Sequence, residues 1–347
     1  MTMVVNGRFL RVRPTGMHRA ARTLLLALAD AGFPYEVWAP AGVEDPLITR
    51  TVRGLPAGRV ADHLWEQGAL AAAAVRRPLL NPINTAPFAH PKSLLWTHDL
   101  GPLVGPEWFQ GARAYGMAML GSVRRARFVF VPSDAVKQEV VDRGVRADRV
   151  AVLRSPVDPV FGPVPDELVA EVRRRHGLDR RPYLLHLGWA DPRKNISTVA
   201  TAHLRLVGDV PHDLVLAGRE HPIFAPVDLP AAGSIKHLGY LRDGDLPALM
   251  AGAAAFVFPS LYEGFGLPPI EAMACGTPAL VSDLPVLRES TWGLATFVPA
   301  RDVDAWAEAI REALRSEDRA PALPRWTAAD LADQFVRALP SWARAAP

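Results

Sequence analysis

Apolar residues fall into short runs separated by amphipathic stretches, which is the alternation of covered strand and half-buried helix. The runs at 93–97 (SLLWT), 128–131 (FVFV), 183–187 (YLLHL), 213–217 (DLVLA) and 253–258 (AAAFVF) have the length of strands buried on both faces. Shorter strands are expected at 3–6, 35–39, 150–153 and 236–241, with the last at 279–282, and LLNPINTAP reads as a strand end plus loop. Leu24, Leu25, Leu28 and Ala31 recur at helical spacing over 20–31. Similar spacing predicts helices at 63–75, 108–126, 134–143, 167–176, 196–206, 246–254, 270–275, 302–314 and 328–339. Residues 41–63 carry little pattern. The proline-rich stretch 156–163 reads as a linker, so strand–helix alternation on both sides predicts an α/β protein with two parallel sheets, in domains 1–160 and 161–325.

The run 253–258 leads into PSLYEGFGLPPIEAMACGTP, residues 259–278. Gly264 and Gly266 permit unusual backbone angles and close approach of a ligand, and Pro268 and Pro269 suit the first turn of a helix. A helix N-terminus after a glycine loop offers N–H groups and a positive dipole end to an anion or a sugar hydroxyl. Glu263 and Glu271 bracket the loop with seven residues between them. Either glutamate alone fits a solvated surface acid equally well. Elsewhere, Gly188 precedes Arg193 and Lys194 at the entrance of the 196–206 helix. Cations there gain nothing from the helix dipole, and make better sense if an anion docks. His98 follows a buried strand, where open α/β sheets bind ligands, although a lone histidine is more often structural. Thr15 and Gly16, with Arg19, open the first helix and read equally as a turn or as a phosphate-facing loop.

The twenty-residue string resembles the E-x7-E segment of the family-4 retaining glycosyltransferases, the group 1 glycosyltransferases of GT-B fold. The glutamates, the FGLP core and the EAMACGTP tail all match. The likeness is tight over about 185–290 and loose over 1–160. It implies two Rossmann-like domains with parallel sheets facing across a cleft. Residues 326–347 would form a C-terminal helix crossing back to the N-terminal domain. It also implies a nucleotide-sugar donor held by the C-terminal domain and an acceptor held by the N-terminal one. The acceptor would be a glycan, a lipid-linked sugar or a small molecule. Arg193 and Lys194 would meet the donor diphosphate, and Gly264, Phe265, Gly266 and Leu267 would meet the sugar and β-phosphate. Glu263 would accept from sugar hydroxyls and Glu271 from the ribose. Tyr240 and Leu241 would lie by the base, Thr15, Gly16 and Arg19 would close the site beside the donor diphosphate, and His98 would lie beside the donor sugar. Where many members have a small polar residue or an arginine, this chain has Trp189, which puts a diphosphate contact from that position in doubt. FPSLYEGFGLP is most similar to mannosyl- and rhamnosyl-transferring members, which points to GDP-mannose. Front-side attack with retention is the expected mechanism, with no cofactor and no metal. A sugar-nucleotide epimerase, a phosphorylase and a non-catalytic sugar-nucleotide-binding subunit are the alternatives.

Composition narrows the class. With 347 residues, 49% hydrophobic and 22% charged, this is a globular chain large enough for two cores. The single cysteine, Cys275, excludes an internal disulfide and fits a reducing, cytoplasmic setting. No apolar stretch reaches a membrane span, and no signal-peptide run precedes Arg8. The net charge of +3 hides a basic N-terminal half, which reads either as the frequency of arginine in this chain or as a surface for an acidic partner such as a lipid phosphate, the inner membrane surface or a phosphorylated acceptor. Arg124, Arg125 and Arg127 read first as the solvated end of a helix. No aromatic-interleaved basic patch suggests nucleic acid.

Overall fold

The computed structural model describes residues 2–12, 15–54, 58–218, 223–239, 241–316 and 319–344. Two compact units form. The first comprises 1–104, 113–156 and 326–347, and the second 105–112 and 157–325.

The first unit is built on a parallel sheet of β1 (Met3–Asn6), β2 (Tyr35–Pro40), β3 (Ile48–Val52), β4 (Leu79–Asn81), β5 (Ser93–Trp96), β6 (Phe128–Val131) and β7 (Val150–Val152). Their order is β3-β2-β1-β4-β5-β6-β7. The chain therefore starts in the middle, winds one way to β3, then returns beside β1 and winds the other way. On one face, helix Gly16–Asp30 buries Leu24, Leu25 and Leu28. Beside it lies helix Ala328–Ala338, whose Phe335 meets Phe130 at 5.0 Å and Phe33 edge-on at 6.2 Å. Trp326 Nε1 donates to the Arg154 carbonyl, and the Arg154 N–H to Gln334 Oε1, fixing where that helix docks. The other face is covered by Met119, Val123, Val136 and Val140.

The second unit repeats the plan with β8 (Tyr183–Leu187), β9 (Asp213–Ala217), β10 (Ile235–Gly239), β11 (Ala255–Phe258), β12 (Ala279–Ser282) and β13 (Thr296–Val298). The order is β10-β9-β8-β11-β12-β13, again all parallel. Ile196 and Val199 from one helix and Trp306 and Ile310 from another pack in its core.

The fold class is α/β, with one parallel sheet in each unit. Several elements differ from the sequence reading. β3 and β13 were not anticipated, so 279–282 is not the last strand. ITRTV is mostly exposed at a sheet edge, and β13 has three residues, so neither shows a buried run. The helix expected over 108–126 starts at Ala112. Ahead of it, Pro106–Trp108 is a separate turn and Phe109 pairs with Phe224 in the second unit. The helix expected over 63–75 is interrupted by a π-helical turn at Glu66–Leu70, where a wider turn re-aims the side chains. The helix read at 270–275 begins at Leu267.

Candidate functional site

In open parallel sheets, ligands bind beyond the carboxyl ends of the strands where the winding reverses. In the second unit that point lies between β8 and β11. Two loops leave it. After β8 the chain turns at Gly188 (φ +80°) and passes through Pro192–Lys194. It then enters helix Ile196–Arg205 through Asn195, held left-handed at φ +49°. After β11 it runs through 259–266 and enters helix Leu267–Ala274 from Gly266 (φ +87°). An added Cβ at Gly266 would stand 2.4 Å from Leu287 Cδ2, so this position admits only glycine without a shift.

The two loops are stitched together. The Leu261 N–H donates to the Arg193 carbonyl at 2.7 Å. Asn195 Nδ2 donates to the carbonyls of Pro259 and Ala300 at 3.1 and 2.7 Å. Lys194 Nζ donates to Glu263 Oε1 at 2.6 Å, with side chains 14% and 11% exposed, and lies 4.4 Å from the Phe258 ring centroid. An ammonium has three donors, and this bond uses one. Pro268 and Pro269 lack N–H groups, so Leu267 alone among the first three helical residues brings a donor to the helix entrance. The structure therefore brings Gly188, Arg193, Lys194, Glu263 and the 264–267 loop to one place.

Arg193 differs from Lys194. Its Nε and Nη2 donate to Asp191 at 2.7–3.1 Å, and its guanidinium lies over Phe109 at 5.1 Å. Glu271 is buried on the second turn of helix Leu267–Ala274. Leu241 is buried, and Tyr240 lies outside the described residues. Trp189 turns aside, donating from Nε1 to the Gly218 carbonyl at 3.1 Å and meeting His237 edge-on. Sequence reasoning missed His186. Fully buried in β8, it donates from Nδ1 to the Val257 carbonyl at 2.9 Å. Burial first, and nearby Lys194, push it down to about 3. A histidine inside an otherwise apolar strand was the available signal.

In the first unit the winding reverses between β1 and β4, and a polar cluster occupies that point. Asn6, at the end of β1, donates to Glu66 Oε2 at 2.8 Å and to Asn81 Oδ1 at 3.0 Å. Arg8 Nε pairs with Glu66 at 3.1 Å, and its Nη2 donates to Thr85 Oγ1 at 2.8 Å. Glu66 is fully buried. Burial pushes its carboxyl up, but Arg8, His63 and Asn6 outweigh it and hold it below the usual range. None of these residues was singled out from sequence, since they are scattered over eighty positions.

His98 and the Thr15 turn join this cluster. The His98 N–H donates to Asn84 Oδ1 at 2.7 Å, and its Nε2 donates to the Pro82 carbonyl at 2.8 Å. The ring is half-buried against Trp96, and burial, opposed by Pro82 and Asp99, pushes it down to about 4. A neutral His98 with its proton on Nε2 presents Nδ1 as an acceptor. Thr15 donates from its N–H and its hydroxyl to His18 Nδ1, at 3.3 and 2.7 Å, which leaves the His18 proton on Nε2. Burial, then His98 and Arg8, push His18 down to about 4. Gly16 starts the helix, and Arg19 is half-buried in its first turn.

Comparison with known proteins gives this geometry a context. Residues 169–326 match the family model described as glycosyl transferases group 1. The chain is 30% identical over 230 residues to the O-antigen chain mannosyltransferase B of Escherichia coli, covering 63% of this chain and 60% of that protein. It is 29% identical over 227 residues to a GDP-mannose-dependent α-(1-6)-phosphatidylinositol monomannoside mannosyltransferase of Mycobacterium tuberculosis, covering 60% and 54%. The chain thus spans less than two thirds of the length of these relatives. Among solved structures, the Anabaena protein HepE in complex with UDP-glucose superposes with a TM-score of 0.69 at 16% identity, covering 97% of this chain and 94% of that one. That likeness shows the fold.

Proposed function

We propose that the chain, which matches the group 1 glycosyl transferases over residues 169–326, is a retaining glycosyltransferase using a nucleotide sugar. The observation that carries the reading is the Lys194–Glu263 pair at the winding reversal of the second sheet, beside the Gly266 helix entrance. A cation with unused donors, next to a carboxylate and a glycine-shaped turn, suits a sugar diphosphate. Lys194 meets the diphosphate, and Glu263 accepts from sugar hydroxyls. Phe265, Gly266 and Leu267 supply N–H groups, and Glu271 accepts from the ribose. Arg193, held by Asp191, adds charge at the rim of the same loop.

In the reaction, the bond between the anomeric carbon and the diphosphate oxygen breaks. A new bond forms on the same face to an acceptor hydroxyl oxygen. The hydroxyl proton passes to the departing phosphate. Fixed cations and dipoles stabilise the charge that develops on the leaving group, and this is commonly the largest catalytic contribution. In this proposal His98 meets the donor sugar and Thr15, Gly16 and Arg19 meet the donor diphosphate, with Tyr240 and Leu241 by the base. GDP-mannose is the proposed donor, supported by the mannosyltransferase relatives and by the FPSLYEGFGLP string. A glycan acceptor is supported by the O-antigen relative. No metal ion takes part in the proposed step.

The test is release of nucleoside diphosphate from a panel of nucleotide sugars, with and without a chelator. The reading expects turnover or slow hydrolysis with GDP-mannose, unchanged by the chelator. No release from any donor defeats it. Conversion of a donor to its epimer without acceptor would replace it with an epimerase.

A further inference from the structure

One stretch of the chain packs away from its neighbours in sequence. Residues 1–104 and 113–156 belong to the first unit, yet 105–112 between them belong to the second. At the start of this strap the Trp108 ring folds back over Gly105 so closely that an added Cβ there would overlap it. The Trp108 N–H donates to the Gly105 carbonyl at 3.1 Å. Phe109 then forms an antiparallel bridge with Phe224. The Gln110 N–H donates to the Ile223 carbonyl at 2.7 Å, and the Ala225 N–H to the Trp108 carbonyl at 3.0 Å. Gln110 Nε2 donates to the Phe224 carbonyl at 3.3 Å. Backbone bonds in both directions therefore hold the strap to 223–225.

The strap touches both loops of the candidate donor site. Trp108 stacks on Tyr262 with ring centroids 6.3 Å apart, and Tyr262 precedes Glu263. The rings of Phe109 and Phe224 lie 5.5 Å apart. The Arg193 guanidinium carbon is 5.1 Å from the centroid of the first and 5.8 Å from that of the second. Asp191 engages the same guanidinium through Nε and Nη2. The carboxylate fixes the direction of the donor fork, and the two rings attract and shelter the cation. Groups of the protein thus hold Arg193 in one place. A cation ordered in this way loses less freedom on meeting an anion.

We propose that Phe109 is a positioning residue for the donor site and acts through Arg193. A strap from the middle of the first unit's sequence holds this cation ready for the diphosphate. This rests on the reading of Arg193 as a diphosphate contact, and adds to it a residue far from both loops in sequence. Phe109 bears on the reaction only by way of the guanidinium it shelters. Donor binding by the second unit then depends on a segment whose two ends run into the first.

The test is a double-mutant cycle on the full chain, read by calorimetric titration of GDP, UDP and ADP and using the one that binds most tightly. Phe109→Leu keeps an apolar side chain but removes the ring, and Phe109→Tyr keeps the ring. Phe109→Leu should weaken binding about three- to tenfold, the scale of a cation–π contact, with Phe109→Tyr within about twofold of wild type. In an Arg193→Ala background Phe109→Leu should change affinity by less than about twofold, because the group it acts through is gone. Phe224→Leu probes the same contact from the other ring and should behave as Phe109→Leu does in both backgrounds. Unfolding midpoints establish that each variant folds. Full affinity in both leucine variants, with weak binding by Arg193→Ala, would overturn the role of the strap and leave the diphosphate reading standing. Equal losses with and without Arg193 would also overturn it, reducing Phe109 to general packing. Unchanged affinity in Arg193→Ala, or no binding of any of the three nucleotides by the wild type, would defeat the placement of Arg193 at the diphosphate and this inference with it.

Discussion

Both units place polar groups where the winding of a parallel sheet reverses, but they assemble them differently. In the second unit the groups come from two adjacent loops, and the key contact joins Lys194 of one to Glu263 of the other. In the first unit Asn6, Arg8, His63, Glu66 and Thr85 converge from separate segments around one fully buried carboxylate. A site written in two loops, each with its own local pattern, shows itself as motifs. A site written across a sheet does not, because only the fold makes those residues neighbours.

The strongest way to break the comparison is at Glu66. Replacing it with Ala strands Arg8 and Asn6 without their buried partner, and removing one member of such a pair costs about 3–5 kcal/mol. Denaturant unfolding should show that loss. A change under about 1 kcal/mol would mean that the cluster is not held by this carboxylate.

Gly266→Ala probes the other side. It combines a left-handed backbone with a Cβ 2.4 Å from Leu287, so about 1–3 kcal/mol of stability should go, with nucleotide affinity falling too. Full affinity in the variant would detach the helix entrance from the donor site.

Acid sharpens the picture in both units. His18 and His98 in the first, and His186 in the second, are pushed down to about 4, 4 and 3. Unfolded histidine titrates near 6.5. Between about 6.5 and the folded values the unfolded chain therefore binds protons that the fold refuses. Stability falls as pH drops through that window and is flat above it. For the fully buried His186 the slope is at most about 1.4 kcal/mol per pH unit. His186→Asn should flatten the dependence of unfolding free energy on pH between 6.5 and 5. An unchanged slope would show that His186 takes up its proton in the fold.

The smallest expected effect is at Trp189→Phe. Losing the indole bond to the Gly218 carbonyl should cost about 1 kcal/mol of stability, while nucleoside diphosphate affinity stays within twofold. A large loss of affinity would return Trp189 to the ligand side.

These contrasts also explain what could be read in advance. The buried runs gave the central strands of both sheets, because a strand covered on both faces must be apolar. The edge strands β3 and β13 stayed hidden because β3 is mostly exposed and β13 has only three residues, one of them buried. The glycine loop was legible because φ > 0 and first-turn prolines leave few alternatives in sequence, whereas Lys194 was marked by its place at a helix entrance and Glu263 by the family resemblance alone. Arg193 was read as the equal of Lys194, yet Asp191, two residues earlier, engages it through four hydrogen bonds. His186 and Glu66 looked like ordinary members of a strand and a helix.

The most direct test is calorimetric titration of GDP into the wild-type chain and into Lys194→Ala. If Lys194 grips the diphosphate, the variant should bind about 30- to 1000-fold more weakly, the equivalent of about 2–4 kcal/mol for a charged contact in a sheltered site. Equal affinity in the two proteins would contradict that placement.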